Sequence, residues 1–429
     1  MTGKGRSGKV SGVAPRQLAL DLLQGVWEEG LLLAEMETHP HFAEAPPEIR
    51  ARAGRLARRT LRLAGRADAA LKPYLKRDPG AGIRALLRLA TVEMLSEGEA
   101  AHGVVNAAVS MARKEQPKAA PMVNAVLRRV AEGGLASWQT AQPQRLPNWL
   151  RGRLGAQYGN ARVARMEARF EADPPLDLTL KSNADTVLPA GDRLPTGSLR
   201  LPRAGQVSAL PGYAEGDWWV QDAAAALPAR LLGVSQGEKV LDMCAAPGGK
   251  TLQLAAAGAN VTALDVSEAR LERLQDNLAR TRLTAEIVAA DALEWEPEGT
   301  FHAILLDAPC SATGTIRRHP DLPFIKDSAG IKPLFELQAE MADRAVNWLR
   351  PGGRMVFCTC SLLPEEGEAQ LEALLRRHPN LSPDTGAVEA MPDIDPEWIA
   401  APGALRITPD MWPERGGLDG FFIAALRKA

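Results

Sequence analysis

Cysteine is scarce in this chain. Only Cys244, Cys310, Cys358 and Cys360 occur among 429 residues, all in the C-terminal half. That excludes a disulfide-stapled scaffold and points to a reducing, cytoplasmic setting. The six histidines are scattered, and Cys358-x-Cys360 has no second ligand pair nearby, so no metal site is expected. Aromatic residues make up 5%, too few for an extended base-stacking surface, and Trp218 and Trp219 read as core. No window approaches about 18 consecutive apolar residues, so no membrane span is expected. Residues 1–9 are basic but lead into an amphipathic helix containing Asp21 with no small-residue cleavage site, unlike a secretory signal. Net charge is nearly absent too: 51 basic against 52 acidic side chains leave −1.

What is present is an asymmetry hidden by that sum. Residues 1–150 hold 22 basic and 14 acidic side chains, a net +8, and the rest hold 29 and 38, a net −9. A positively charged N-terminal part joined to an acidic remainder points to a polyanion-binding module attached to something else. With 45% hydrophobic and 24% charged residues, the chain has a globular composition, and its length allows about two to four domains.

The periodicity divides the chain into three. Residues 12–136 read as all-α: Leu18, Leu22 and Val26 repeat at four, and Ile83, Leu86, Leu87 and Ala90 at three and four. Residues 137–216 read as a linker and a small α+β subdomain, with Leu176 to Leu180 alternating like a strand. Residues 217–429 alternate short β runs with helices. Strands are expected at Val240–Cys244, Val261–Asp265, Glu286–Ala290, Ala303–Asp307 and Arg354–Cys360, with a helix over about 332–349 before the last. That alternation predicts an α/β, doubly wound, mostly parallel sheet, with ligands bound beyond the carboxyl ends of the strands.

The motifs fall at those ends. Cys244, Ala245, Ala246, Pro247, Gly248, Gly249 and Lys250 form a glycine-containing turn from strand to helix. It has neither phosphate-loop nor dinucleotide spacing. Asp265 ends the next strand, where a carboxylate can bridge two ribose hydroxyls. Asp291 ends the third, where one can accept from an adenine amine. Together they describe a nucleoside cofactor without a phosphate cradle, and S-adenosylmethionine fits better than a dinucleotide. Two further strands end in Asp307-Ala-Pro-Cys-Ser311 and Phe357-Cys-Thr-Cys-Ser361. Cytosine C5 is a poor nucleophile until a thiolate adds to C6 and makes C5 enamine-like. Cys310 and Cys360 both stand where such a thiolate is needed, and Asp307 is placed to stabilise the adduct near N3. Cys244 and Cys358 read as packed core thiols.

These residues carry a resemblance. Asp307-Ala-Pro-Cys-Ser-Ala-Thr-Gly314 with Ile316-Arg-Arg-His-Pro-Asp321, Cys244-Ala-Ala-Pro-Gly-Gly-Lys250 and Thr359-Cys-Ser361 resemble the Fmu/Sun (RsmB-type) 16S ribosomal RNA cytosine-C5 methyltransferases. Gln221-Asp222 and Asp419-Gly-Phe-Phe422 are similar too. Ala101-His-Gly-Val-Val-Asn106 and Val123-Asn-Ala-Val-Leu-Arg-Arg129 resemble the NusB-type helical RNA-binding domain of the same branch. The resemblance implies a Rossmann-like class I methyltransferase domain with a seven-stranded sheet, acting on small-subunit ribosomal RNA; a monomer is expected. It implies Cys360 as nucleophile and Cys310 as the residue aiding product release. It also implies cofactor contacts from Cys244 to Lys250, Asp265, Asp291 and Asp307. The chain departs from the family at Cys358, where relatives usually carry a small residue, and at Leu322-Pro-Phe-Ile-Lys326, where Pro replaces a residue usually basic or polar.

For RNA contact, Arg52, Arg55, Arg59, Arg62 and Arg66 recur at three, four, three and four, one face of a helix with no acidic partner on it. Ala53, Leu56, Thr60 and Leu63 would form the buried stripe beside it. Arginine forks suit phosphate oxygens, so this face is expected to track an RNA backbone. Arg317, Arg318 and His319, just past the Pro-Cys loop, are expected to hold the target nucleotide and its phosphate.

Overall fold

The computed structural model describes residues 13–181, 187–201, 205–391 and 394–429; the basic residues 1–9 lie outside the described residues. The chain divides into two compact units. One runs to Arg151 and adds Val163–Asp173 and Arg318–Lys326; the other comprises Gly152–Arg162, Pro174–Arg317 and Asp327–Ala429. Residues 137–216 are thus shared between the two.

Helices alone build the first unit over its described residues, mainly Ala14–Gln24, Pro47–Arg62, Ala64–Leu71, Ala81–Leu95, Ala101–Glu115 and Ala120–Gly133. Proline opens several of them, where its missing N–H costs nothing and its fixed φ suits the first turn. Leu18, Leu22, Val26, Leu56, Ile83, Leu86, Leu87, Val123 and Leu127 meet in one core, so the repeats at three and four mark buried faces. Ala53, Leu56, Thr60 and Leu63 are buried as their spacing predicts. Within this core Arg16 Nε donates to Glu93 Oε2 at 2.7 Å, and Glu93 is fully buried. The segment Arg318–Lys326 clusters here as well. Asp321 accepts from the N–H of Leu33 at 3.0 Å, and Phe324 meets Trp27 edge-on with centroids 5.9 Å apart. Pro323 and its apolar neighbours therefore serve packing within the helical unit.

In the second unit, β1 (Leu176–Leu180), β2 (Asp192–Arg193), β3 (Leu199–Leu201) and β4 (Trp218–Val220) form a small antiparallel sheet in the order β2-β3-β1-β4. Trp218 and Trp219 are both core residues.

The larger sheet comprises β5 (Lys239–Met243), β6 (Asn260–Asp265), β7 (Glu286–Ala289), β8 (Phe301–Asp307), β9 (Leu349–Thr359), β10 (Leu381–Pro383), β11 (Ile399–Ala401), β12 (Ala404–Ile407) and β13 (Phe421–Lys428). Its order is β11-β12-β13-β9-β8-β5-β6-β7, with β10 also paired to β13. The five strands from β9 to β7 are mutually parallel, and β13 lies antiparallel to β9. Among the described residues, nine strands stand where the resemblance implies seven. The extra ones are three-residue edge pieces, and Pro383 in one of them breaks the alternation that marks a strand. Helix Glu268–Thr281, the crossover after β6, starts at an N-cap Ser267 and buries Leu271, Leu274 and Leu278. The order reverses between β5 and β8, so the crevice at the carboxyl ends of these two strands is the switch point.

Glu93→Ala removes a charge-assisted hydrogen bond from the core and should destabilise the protein by about 1.5–3 kcal/mol, read as a lower midpoint in denaturant; an unchanged midpoint would show that the pair with Arg16 adds nothing to stability.

Candidate active site

At the switch point the chain leaves β5 through Cys244 and enters a helix at Gly249. Gly248 has φ +107°, and a Cβ there would lie 2.3 Å from Leu274 Cδ1, so only glycine fits. Asp265, at the tip of β6, is buried. Its carboxylate accepts from the N–H of Ala246 at 3.1 Å and of Ser267 at 3.0 Å, which fixes the glycine loop to the neighbouring strand. Asp291 is exposed just past β7 and accepts from the N–H of Leu293. Asp307, at the end of β8, is salt-bridged by Lys250 Nζ at 2.7 Å. Burial works against the Lys250 ammonium, but the charge of Asp307 outweighs it and the lysine pKa is raised. Below the loop, Asp242 is 1% exposed and accepts from Thr251 Oγ1 at 2.6 Å. Burial pushes its carboxyl up to about 7. Nothing in the spacing of motifs signals that residue.

The register between β8 and β9 sets Asp307 opposite Cys358. The loops that follow therefore start side by side, and Cys310 Sγ lies 3.4 Å from Cys360 Sγ. The two cysteines singled out at strand ends thus form one thiol pair. The hydrogen bond with Cys360, burial, and the negative potential of Cys360 and Glu366 all push the Cys310 thiol well up. Cys358 is fully buried, with Sγ 3.5 Å from Asp307 Oδ1; burial and then that carboxylate raise its pKa. Burial and the surrounding aspartates do the same to Cys244. Cys358 is a core thiol and Cys244 a half-buried one, and burial favours the protonated form of both. Gly314 closes the site from beside Cys360: its N–H donates to the Cys360 carbonyl at 2.9 Å, and a Cβ there would fall 2.0 Å from the Gly420 oxygen.

Glu366, like Asp242, escapes sequence reasoning, and Arg317 is misassigned by it. Glu366, seven residues past β9, accepts from both Ser311 and Ser361, the residues that follow the two cysteines. Arg317 corrects an expectation. Its side chain is 1% exposed and is gripped by Asp222 and Asp419, so it is a structural cation joining Gln221-Asp222 to Asp419-Gly-Phe-Phe422 and not a phosphate contact. Arg318 is half-buried and His319 exposed.

The chain matches the family of 16S rRNA methyltransferases RsmB/F over residues 229–427 and the NusB family over residues 13–132. It is 34% identical over 441 residues to the ribosomal RNA small subunit methyltransferase B of Xanthomonas campestris pv. campestris, covering 98% of both chains. The chain belongs to the RsmB/F methyltransferase family. The enzyme of the same name from Citrobacter koseri is 38% identical over 73% of this chain and 74% of its own. The crystal structure of a methyltransferase homologue from Pyrococcus horikoshii superposes with a TM-score of 0.52 at 26% identity, over 65% of this chain and 94% of that one.

As an RsmB/F-family methyltransferase, the protein takes its methyl group from S-adenosyl-L-methionine. The residues at the switch point fit that cofactor. Three carboxylates, Asp265, Asp291 and Asp307, stand at successive strand ends around the glycine loop, and the loop's one cation, Lys250, is engaged by Asp307. Such a set suits hydroxyls and amines and offers no cradle for phosphate.

The arginine face expected over Arg52–Arg66 is corrected too: the helix stops at Arg62, Arg66 stands on the next helix, Ala64–Leu71, and the row is not bare. Its partners are missing from its own helix but come from elsewhere in the helical unit. Arg52 pairs with Glu99 at 3.0 Å, Arg59 with Glu97 and Asp173, and Arg66 with Glu171 at 2.9 Å. Arg62 is 7% exposed beside Asp173 at 3.2 Å, and burial pushes its pKa down to about 10. Spacing at i, i+4 inspects one helix only, so these tertiary acids were invisible. Arg55 is exposed, with no carboxylate partner among the described residues.

Two outcomes test this geometry. Between about pH 4 and pH 7 the folded protein keeps a proton on Asp242 that the unfolded chain has lost, so this group lowers stability as pH rises through that window. Asp242→Asn should therefore gain in melting temperature relative to wild type on going from pH 5 to pH 8; a constant difference would contradict the assignment. Gly314→Ala should cut methyl transfer by about 100-fold through displacement of Cys360, with cofactor affinity, measured by calorimetry, unchanged; full activity would refute the close approach.

Proposed function

We propose that the protein methylates C5 of a specific cytosine in small-subunit (16S) ribosomal RNA, in the cytoplasm and as a monomer, through a covalent bond between Cys360 and C6 of the base. The observation that carries this reading is the contact of two thiols, 3.4 Å apart, at the carboxyl ends of adjacent parallel strands beside Asp307. A packing role calls for no such pair at a cofactor crevice. The names of the relatives support ribosomal RNA as substrate, and four free cysteines suit a reducing compartment.

The two roles are those that the family resemblance implies. Cys360 is the nucleophile, adding through Sγ to C6 so that electron density reaches C5; the hydrogen bond to Cys360 and burial keep Cys310 in the thiol form. Bound S-adenosylmethionine supplies an electrophilic methyl group at that carbon. Asp307, kept in place by Lys250, stands beside N3 of the base and stabilises the adduct. Release requires loss of the C5 proton to a base; its bonding pair re-forms the double bond and expels Cys360 as thiolate, with Cys310 assisting. The target base must leave its stack to enter. Arg55, Arg318 and His319 are the RNA contacts that this reading retains.

Cys360→Ala should lower methyl transfer by about 10⁴-fold or more and leave cofactor affinity within a few-fold. Cys310→Ala should instead accumulate a covalent protein–RNA adduct, seen as a slow band on a denaturing gel. If the adduct accumulates with Cys360→Ala and not with Cys310→Ala, the two roles are reversed.

A further inference from the structure

Among the described residues, Glu366 is the one carboxylate hydrogen-bonded to both cysteine loops. It is fully buried, and no Lys, Arg or His pairs with it among the described residues. Burying an uncompensated charge is costly, so its hydrogen bonds must carry the compensation. It accepts from the Ser311 N–H at 2.8 Å, from the Ser311 hydroxyl, from the Ser361 hydroxyl at 2.5 Å and from Gln338 Nε2 at 3.0 Å. Gln338 also donates to the Pro309 carbonyl at 2.8 Å, and Thr359 Oγ1 donates to the Glu366 carbonyl at 2.9 Å. The neighbouring Glu365 is engaged elsewhere, with Arg153.

These contacts close a ring. Ser311 and Ser361 are the residues directly after Cys310 and Cys360, and one carboxylate holds both. Opposite that clamp the two sulfur atoms meet. Each thiol is one peptide unit from the clamp, so its position depends on the carboxylate accepting from both serines at once. A neutral apolar residue would fill the space without the cost of a buried charge, but it could not hold two separate loops in register. We propose that Glu366 is a positioning residue that sets the separation of the Cys310 and Cys360 thiols by accepting from Ser311 and Ser361. The proposal rests on the reading of those thiols as the reacting pair.

The test uses the full-length protein with Glu366→Gln and Glu366→Ala. Glutamine keeps the shape and one acceptor oxygen, so it can accept either from the two serine hydroxyls, which share Oε2, or from the Ser311 N–H and Gln338, which share Oε1, but not from both sets at once. Three quantities are read: kcat for methyl transfer, the dissociation constant of S-adenosylmethionine, and the rate of Cys310–Cys360 disulfide formation with diamide, followed by peptide mass mapping without RNA. In the last, diamide takes two electrons and the two thiol protons, becoming the hydrazine as the S–S bond forms. A graded response is expected. For Gln, kcat and the cross-linking rate both fall about tenfold, and for Ala about 100-fold, with cofactor affinity within about twofold. If the alanine variant does not fold, the glutamine variant decides alone. Wild-type kcat and cross-linking in the glutamine variant would overturn the proposal, and so would a kcat loss matched by an equal loss of cofactor affinity. Should Cys360→Ala prove fully active while cross-linking still depends on Glu366, the reading of the thiols fails and the clamp stands.

Discussion

The chemistry of this protein depends on the parallel pairing of β8 with β9. That pairing sets Asp307 against Cys358, and every later feature follows from where the two strands let go. Because they end level, the loops Ala308–Cys310 and Cys360–Ser361 emerge together, and two residues separated by 50 positions in sequence become a thiol pair. β13 then packs antiparallel along the far side of β9, with Phe422 opposite Thr359, which brings Gly420 against Gly314 and closes the pocket around the Cys360 carbonyl. A slip of one residue in the β8–β9 register would turn Asp307 and its neighbours to the opposite faces of the sheet.

Around that pair the protein buries charge and gives each buried group a different kind of compensation. Lys250 and Asp307 neutralise each other at the rim. Arg317 is matched by two carboxylates from distant segments. Asp242 has one hydroxyl donor and a raised pKa, so it is the group that can stay neutral. Glu366 pairs with no cation among the described residues and is held by amide and hydroxyl donors. Hydrogen-bonded polar networks of this kind rigidify what they touch, and here they touch the two cysteine loops.

Much of this was legible in the sequence because it is local. The repeats of Leu18, Leu22 and Val26, the β–α alternation after Gly237, and the short motifs at Asp307–Gly314 and Thr359–Ser361 each lie within a few residues, and the strands and helices they predict are there. The illegible parts are those in which distant residues meet. The arginine face from Arg52 to Arg66 is unpaired on its own helix, yet Glu97, Glu99, Glu171 and Asp173 reach it through the tertiary fold. Arg317 reads as an exposed phosphate ligand beside Arg318 until Asp222 and Asp419 close on it. Glu366 is one of two adjacent glutamates, and only the packing tells it from Glu365. The short strands β10, β11 and β12 give too little periodicity to mark them.

The central claim is that Cys360, with Cys310 as its protonated neighbour, forms the bond to the base. The most direct measurement uses wild-type protein, S-adenosylmethionine and substrate RNA carrying 5-fluorocytosine, whose C5 has no proton to lose once methylated, so that the adduct persists. Digestion and mass mapping of the linked peptide should find the nucleotide on the peptide containing Cys360. A nucleotide mapped to Cys310, or methylated RNA released with no protein-bound intermediate, would contradict the account.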